Sequence, residues 1–179
     1  PSDPPDYVFW RDPFDPQLQE RAGSLDLSTL RQRAEGVLGH LWSVHPPLHA
    51  EAAGVMRLAA LRYDLLARRL QIGKEARDSY DDARAHATKP NDAQVFRSLN
   101  VAKYLCWELR DGLSNIVPLY LGAWRYESTE SGVQRVITRY RLAEDDAQRC
   151  ADRIDGVARE SYLRHGTVPS WDEVMRSVH

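Results

Sequence analysis

Adjacent acidic residues are the first candidates for chemistry in this chain, because a glycosidase needs two carboxyl groups that converge on one bond. Asp172 and Glu173 form such a pair. Ser170 stands three residues before Glu173, and this spacing is typical of a capping box, in which the two side chains satisfy backbone donors at a helix start. We therefore interpret the pair as a helix start. The acidic run 144–146 lies opposite an apolar stripe, which indicates a solvated helix face.

Two groups of residues have spacings that metal ligands use. His45 and His49 are four residues apart, but two prolines lie between them and no third ligand is near in sequence. Asp78, Asp82 and His86 share one helical face, a pattern that is common on ordinary polar surfaces. The chain contains no glycine-rich phosphate loop and no nucleophile elbow. The sequence therefore predicts no catalytic residue, no metal site and no cofactor.

Two short segments mix aromatic and charged side chains, as sugar-binding and protein-binding surfaces often do. The same composition also suits loops that cover the end of a helical bundle. Both interpretations stay open at this point. The candidate substrate or interface residues are Trp10, Arg11, Asp12, Phe14, Trp124, Arg125, Tyr126 and Glu127.

Apolar residues that recur every three or four positions predict the helices that place these segments. A first, shorter helix follows a cap at Asp26 or Ser28, the second spans about 48–87, and the third continues past Pro118 with a bend. The predicted fold is all-α: an antiparallel bundle of three long helices plus the shorter one, over residues 26–179, with a short C-terminal helix. The stripe of the second helix is Ala52, Val55, Ala59, Tyr63, Leu66, Leu70, Gly73, Ala76, Tyr80 and Ala83; that of the fourth is Val133, Val136, Tyr140, Ala143, Ala147, Cys150, Ile154 and Val157.

Residues 1–25, which we call the lead-in, contain five prolines and four aromatic residues, Tyr7, Phe9, Trp10 and Phe14. Prolines lack a backbone donor, so we expect an extended segment. Its aromatic side chains must pack on the helices or on a missing neighbour. Because the sequence opens without a methionine, we expect it to be a piece of a longer chain, with the lead-in as the junction to an upstream domain.

The composition narrows the classes of partner. The chain has 24 basic and 26 acidic residues, which alternate along the helices, so we expect neither nucleic acid nor a membrane surface as partner. No apolar run reaches the roughly 20 residues of a membrane span, so the domain is predicted to be soluble. Cys106 and Cys150 each fall in an apolar stripe, where packing is the usual role of a cysteine.

The order of these features resembles the helical region that follows the catalytic barrel in some bacterial family 20 glycoside hydrolases, the β-N-acetylhexosaminidases. The similarity covers nearly the whole chain. Ser128, Thr129 and Glu130 stand where the family pattern has Asn-Arg-Pro. The most specific positions are Trp124, Glu127, Gly132, Arg135, Arg139, Arg149 and Arg153.

The resemblance implies a parent enzyme that removes terminal N-acetylhexosamine with retention, using the acetamido oxygen of the substrate. The Asp-Glu pair of that reaction would lie on the barrel, so this chain would be a non-catalytic accessory domain. Its partners would be the upstream barrel and possibly a second copy of the chain. The alternative is a self-contained helical module that binds another protein along the groove beside Pro118. A lead-in that packs within the chain would favour this alternative.

Overall fold

The computed structural model describes residues 5–43, 50–89, 91–124 and 130–176, with side chains from Val8 onward. These ranges are almost entirely helical and contain no strand, so the predicted all-α bundle is confirmed. None of the described helices is long and apolar enough to cross a membrane. The helices are α1 Pro5–Trp10, α2 Pro16–Ala22, α3 Leu27–Ser43, α4 Ala50–His86, α5 Ala93–Trp124, α6 Glu130–Arg153, α7 Glu160–His165 and α8 Trp171–Arg176, with a π-helix at Ile154–Arg159 between α6 and α7.

Helix α5 is the centre of the bundle and packs against both α4 and α6. Its apolar positions recur every three or four residues, and the helix continues past Pro118 to Trp124 as predicted. Proline can occupy this position because the neighbouring helices hold the chain on both sides of the lost hydrogen bond. The predicted stripe is buried throughout: Val95, Leu99, Ala102, Cys106, Leu109, Leu113 and Ile116.

The predicted stripe of α4 is correct only in its second half. Leu70, Gly73, Ala76, Tyr80 and Ala83 are buried as predicted. In the first half the prediction was wrong: Ala52, Ala59 and Tyr63 are exposed, while Leu58 and Leu65 are buried instead. The reason is that this half packs against α3 on one side and α5 on the other, so its apolar residues do not follow a single line.

The apolar stripe predicted for the fourth helix, which is α6, is correct as far as Ile154. It is wrong at Val157, which is 38% exposed. Residues 154–159 form a π-helix, whose wider turn moves the buried face one residue along the chain. Ala158 and Tyr162 are buried in place of Val157. The Tyr162 hydroxyl donates to the Lys89 carbonyl at 2.6 Å and accepts from the Asp92 amide at 2.7 Å, so it holds the turn between α4 and α5.

The lead-in is not extended, and that prediction was wrong. It forms the two short helices α1 and α2, whose first residues are Pro5 and Pro16. Proline is favoured as the first residue of a helix for two reasons. A backbone N–H at that position would have no acceptor within the helix, and the proline ring already fixes φ near the helical value. Asp15 caps α2 by accepting from the Gln17 amide at 2.9 Å. The prolines thus start helices here.

The lead-in lies directly on α4 at Gly73. A Cβ at this position would lie 2.1 Å from the Pro13 carbonyl oxygen and 2.7 Å from Nε2 of Gln19. Only glycine allows the two backbones to approach this closely. The glycine therefore fixes where the lead-in sits.

Replacing Gly73 by alanine should displace the lead-in, since a backbone oxygen cannot move out of the way as a flexible side chain would. We expect a loss of about 1–3 kcal/mol in the free energy of unfolding, despite the better helix propensity of alanine. Gly36→Ala is the matched control, because no atom lies within 4 Å of its added Cβ. It should gain up to about 1 kcal/mol. Chemical denaturation measures both, and a Gly73→Ala variant as stable as Gly36→Ala would contradict the described contact.

Candidate functional site

Two arginines of α4 hold the lead-in through its backbone. Arg69 donates to the carbonyl oxygens of Phe9 and Arg11, the second at 3.2 Å. Arg77 donates to the Phe14 carbonyl at 2.7 Å. Gln19 completes the set, because its amide donates to the carbonyls of Pro13 and Leu70. Apart from that of Leu70 in α4, these carbonyls lie in a segment interrupted by prolines, so side chains supply donors that regular structure would have provided. We call this set the carbonyl clamp.

Arg69 is the buried charge of the clamp, with only 4% of its surface exposed. Burial lowers the pKa of its guanidinium to about 10, so it stays charged at neutral pH. The face of Phe9 lies 5.2 Å from the guanidinium carbon of Arg69 and also 5.2 Å from that of Arg62. The two carbonyls and the aromatic face together compensate for the lost hydration of the charge.

An aromatic cluster joins the two predicted site segments. Trp10 stacks edge-on against Tyr140 at 4.8 Å, and Tyr120 lies 6.0 Å from Tyr140 and 6.0 Å from Trp124. Phe9 completes the cluster at 5.9 Å from Tyr140. Trp10 and Trp124 are therefore brought into one cluster. Arg125, Tyr126 and Glu127 lie outside the described residues.

Phe14 packs against the opposite end of the chain. Its ring centroid lies 5.1 Å from that of Trp171, which meets Tyr80 of α4 edge-on at 5.2 Å. The Tyr80 hydroxyl donates to the Pro169 carbonyl at 3.0 Å. Arg77, already bound to the Phe14 carbonyl, lies 5.6 Å from the Trp171 ring. The aromatic residues at the two ends of the chain thus support each other.

A cleft of about 610 Å³ lies between the lead-in, α6 and α8. Its apolar floor includes Leu109, Ala147 and Cys150. Asp12 reaches solvent in the cleft, yet the surrounding protein removes part of its hydration, and this desolvation raises the pKa of its carboxyl. Its Oδ1 accepts from the Phe14 amide at 2.9 Å.

The charged groups around this cleft are already used. Arg11 pairs with Asp15 at 2.6 Å, and Arg153 donates to the Met175 carbonyl. With Arg69 and Arg77 bound to lead-in carbonyls, the guanidinium groups hold the walls of the cleft. The carboxyl groups of the cleft are used in the same way: Asp15, Asp146 and Asp172 each pair with an arginine, and Asp12 accepts from a backbone amide.

The remaining sequence candidates have structural roles. Ser170 and Glu173 form the predicted capping box, with the Ser170 amide donating to Glu173 at 2.7 Å. Asp82 accepts from the Ser98 hydroxyl at 2.5 Å and from the Gln94 amide at 3.1 Å, and Asp78 pairs with Lys74. Among the described residues, no three His, Cys, Asp or Glu side chains are grouped to hold a metal ion. His45 and His49 lie outside that part of the chain.

The second concave surface is the groove beside Pro118. It encloses about 350 Å³ between the first turns of α4 and the last turns of α5. Small residues form much of it, and a Cβ added at Gly54 or Gly122 would meet no atom within 4 Å. The lining residues are Ala50, Glu51, Gly54, Arg57, Leu58, Leu61, Pro118, Leu119, Gly122 and Ala123.

Sequence reasoning missed Arg69 and Arg77, because a charged residue beside an apolar stripe gives no sign that it is buried. It also missed that Cys106 and Cys150 meet, with their sulfur atoms 2.9 Å apart. The signal was present in the second case. Both residues belong to stripes of helices predicted to pack antiparallel, at comparable distances from the α5–α6 connection.

Comparison with known proteins gave no assignment. The sequence matches no protein-family model, no curated protein and no solved structure. The function is therefore argued from the geometry of this chain alone.

Replacing Arg69 by methionine should loosen the lead-in. The substitution keeps a similar side-chain length but leaves the carbonyls of Phe9 and Arg11 without their donor, at a cost of about 1–3 kcal/mol. Hydrogen exchange should accelerate selectively in residues 5–22, and a denaturation curve gives the global loss.

Arg68→Met is the matched control, since Arg68 is an exposed neighbour that pairs with Glu108 across α4 and α5. It should change stability by less than about 1 kcal/mol. Exchange in residues 5–22 that stays at the wild-type rate in Arg69→Met would show that the clamp does not hold the lead-in.

Proposed function

We propose that this chain is a non-catalytic helical interaction module, that its binding surface is the groove beside Pro118, and that the groove receives α4 of a second copy. The observation that carries the proposal is the groove itself, which combines a floor of small residues with an apolar rim and one charge of each sign. A surface of this kind suits a helix laid into it. The other cleft gives less support for a binding role, because its arginines and carboxylates are bound to backbone groups or to each other within the chain.

The floor of the groove allows close approach of a helix. Ala50 and Gly54 lie one turn apart on α4, and Gly122 and Ala123 face them from α5. Without large side chains in the way, the backbone of a second helix can pack near the short end of the usual interaxial range of roughly 8–10 Å. A small-residue floor of this kind therefore favours a helix as the occupant.

The rim supplies apolar surface that pairing would remove from water. Leu119, which lines the groove, is 45% exposed. Trp42 at the end of α3 is 70% exposed and lies 5.7 Å from the Arg57 guanidinium carbon, which places it beside the groove. Exposed tryptophan and leucine side chains next to a concave surface are typical of protein interfaces.

The charges of the groove favour a second copy as the partner. Glu51 and Arg57 lie three residues before and three residues after Gly54, so they are placed symmetrically about it. If two α4 helices cross antiparallel at Gly54, Glu51 of each copy faces Arg57 of the other. Within the described residues, Nε of Arg57 is buried and has no hydrogen-bond acceptor. A two-fold contact would place the Glu51 carboxylate of each copy beside the end of the Arg57 side chain of the other.

The packing of the lead-in supports a self-contained module. Phe9 is 3% exposed and Phe14 is 8% exposed within this chain, so neither is left as a face for another domain. The hypothesis of an accessory domain of a family 20 β-N-acetylhexosaminidase had assigned the lead-in aromatics to the contact with the catalytic barrel. It stays a prediction from resemblance.

Charge exchange tests the proposed pairing. Sedimentation velocity should show a concentration-dependent dimer for the wild-type chain. Arg57→Glu should weaken dimerisation at least about tenfold, because it places like charges opposite each other. The double variant Glu51→Arg/Arg57→Glu should restore it, since both ion pairs re-form with exchanged signs.

Arg164→Glu on α7 is the control, because α7 does not line the groove. It should leave dimerisation unchanged. A wild-type chain that stays monomeric up to about 0.5 mM, a concentration at which even weak interfaces associate, would overturn the proposal. Failure of the double variant to recover would reject the antiparallel geometry.

A test of hydrolysis separates both non-catalytic hypotheses from an enzyme. The chain should not release the chromophore from a chromogenic N-acetylglucosaminide, because both hypotheses assign it a non-catalytic role. Turnover that co-purifies with the folded chain and disappears on unfolding would refute a non-catalytic role.

A further inference from the structure

Two buried cysteines face each other at the contact between α5 and α6. Cys106 is 0% exposed and Cys150 is 3% exposed, and their sulfur atoms lie 2.9 Å apart. Neither is bonded to another residue. A disulfide bond needs a sulfur–sulfur distance of about 2.05 Å, so less than about 1 Å of movement separates the thiols from bonding distance. Helix packing has already met the main geometric requirement.

Cys150 is also the thiol that a small molecule can approach. It lies in the floor of the cleft under the lead-in, whose volume of about 610 Å³ is ample for a molecule of the size of hydrogen peroxide. Cys106 lies behind it and does not line this cleft. The two thiols therefore differ in access: one is open to a reagent from the cleft, and the other is placed to react with the first.

We propose that Cys106 and Cys150 are a dithiol site that a hydroperoxide oxidises to an intramolecular disulfide between α5 and α6. Cys150 reacts first. Its sulfur attacks one peroxide oxygen, the O–O bond breaks, the other oxygen leaves as water with the thiol proton, and Cys150 becomes a sulfenic acid. The Cys106 sulfur then attacks the Cys150 sulfur, the S–O bond breaks and a second water leaves. The two thiols give up two electrons and two protons, and one peroxide becomes two waters.

The surroundings of the pair set the pH at which it reacts. The thiol contact with Cys106 and burial both raise the pKa of Cys150 well above its ordinary range. Because the thiolate is the reacting form, oxidation should accelerate as pH rises toward that pKa, by up to about tenfold per pH unit. The site is therefore slow at neutral pH.

The test uses the reduced wild-type chain in native buffer with about 1 mM hydrogen peroxide at about pH 7 and about pH 9. After removal of peroxide, the protein is unfolded with excess alkylating reagent and its mass is measured. We expect a product about 2 Da lighter than the reduced chain that takes up no alkyl group and reverts with dithiothreitol. Peptide mapping separates this loss from oxidation of the two methionines.

A stability measurement and a variant complete the test. The oxidised chain should melt roughly 5–10 °C higher, because the bond closes a loop across the bundle. In Cys106→Ala, Cys150 should be trapped by dimedone as a sulfenic acid, with no loss of 2 Da, and faster than in the wild-type chain, because the contact that raises its pKa most is gone. Folded wild-type chain that keeps two alkylatable thiols at both pH values, or a disulfide that joins two chains on a non-reducing gel, would overturn the proposal.

Discussion

The structure depends on how the backbone carbonyls of the lead-in find donors. Prolines interrupt this segment, so its carbonyl groups cannot all be satisfied by regular helices, yet its aromatic residues are driven into the core. Arg69, Arg77 and Gln19 resolve the conflict by donating to those carbonyls. The long side chains of arginine can reach a backbone that lies on top of the helix. These contacts hold the lead-in against the core. They thereby determine the shape of the cleft and the position of Phe14.

The same contacts explain why positive charge near the cleft is not a sign of an anion site. An arginine that already donates to a carbonyl and lies against an aromatic ring would have to give up those interactions to bind a ligand. In the groove beside Pro118, Arg57 lies against the exposed ring of Trp42 and donates to no backbone carbonyl through Nε. Binding a carboxylate there would not break a hydrogen bond of Nε.

Much of the fold could be predicted from the sequence, and the reasons for the exceptions are physical. Helix α5 was predicted well because its apolar residues follow one line for its whole length. The first half of α4 has two packing partners, so one stripe could not describe it. The two N-terminal helices were missed because Pro5 and Pro16 were taken as helix breakers when they are helix starters. Of the predicted site residues, Trp10 and Trp124 do meet, through Tyr120 and Tyr140, but as part of the core.

The sites themselves were harder to predict than the helices. A groove forms where two facing helices both lack large side chains. Glycines such as Gly54 and Gly122 predict a groove only when the register of the two helices is known. The contact of Cys106 with Cys150 likewise requires the relative shift of α5 and α6. Periodicity shows on which face of its helix a residue lies. Predicting a site also requires the position of that residue along the bundle axis relative to the neighbouring helices.

The π-helix at Ile154–Arg159 has a consequence for how this chain can vary. Such a turn holds one residue more than an α-helical path between the same two ends, so it is the trace of a single inserted residue that the bundle has absorbed. Loss of one residue here would leave an α-helical path between the same two ends, so the helix after it would keep its orientation and the Tyr162 hydroxyl would stay at Lys89 and Asp92. Loss of one residue within the regular part of α6 would instead rotate everything after it by about 100°. In related chains, we would therefore expect single-residue changes in length to be found at this turn and not elsewhere in α6.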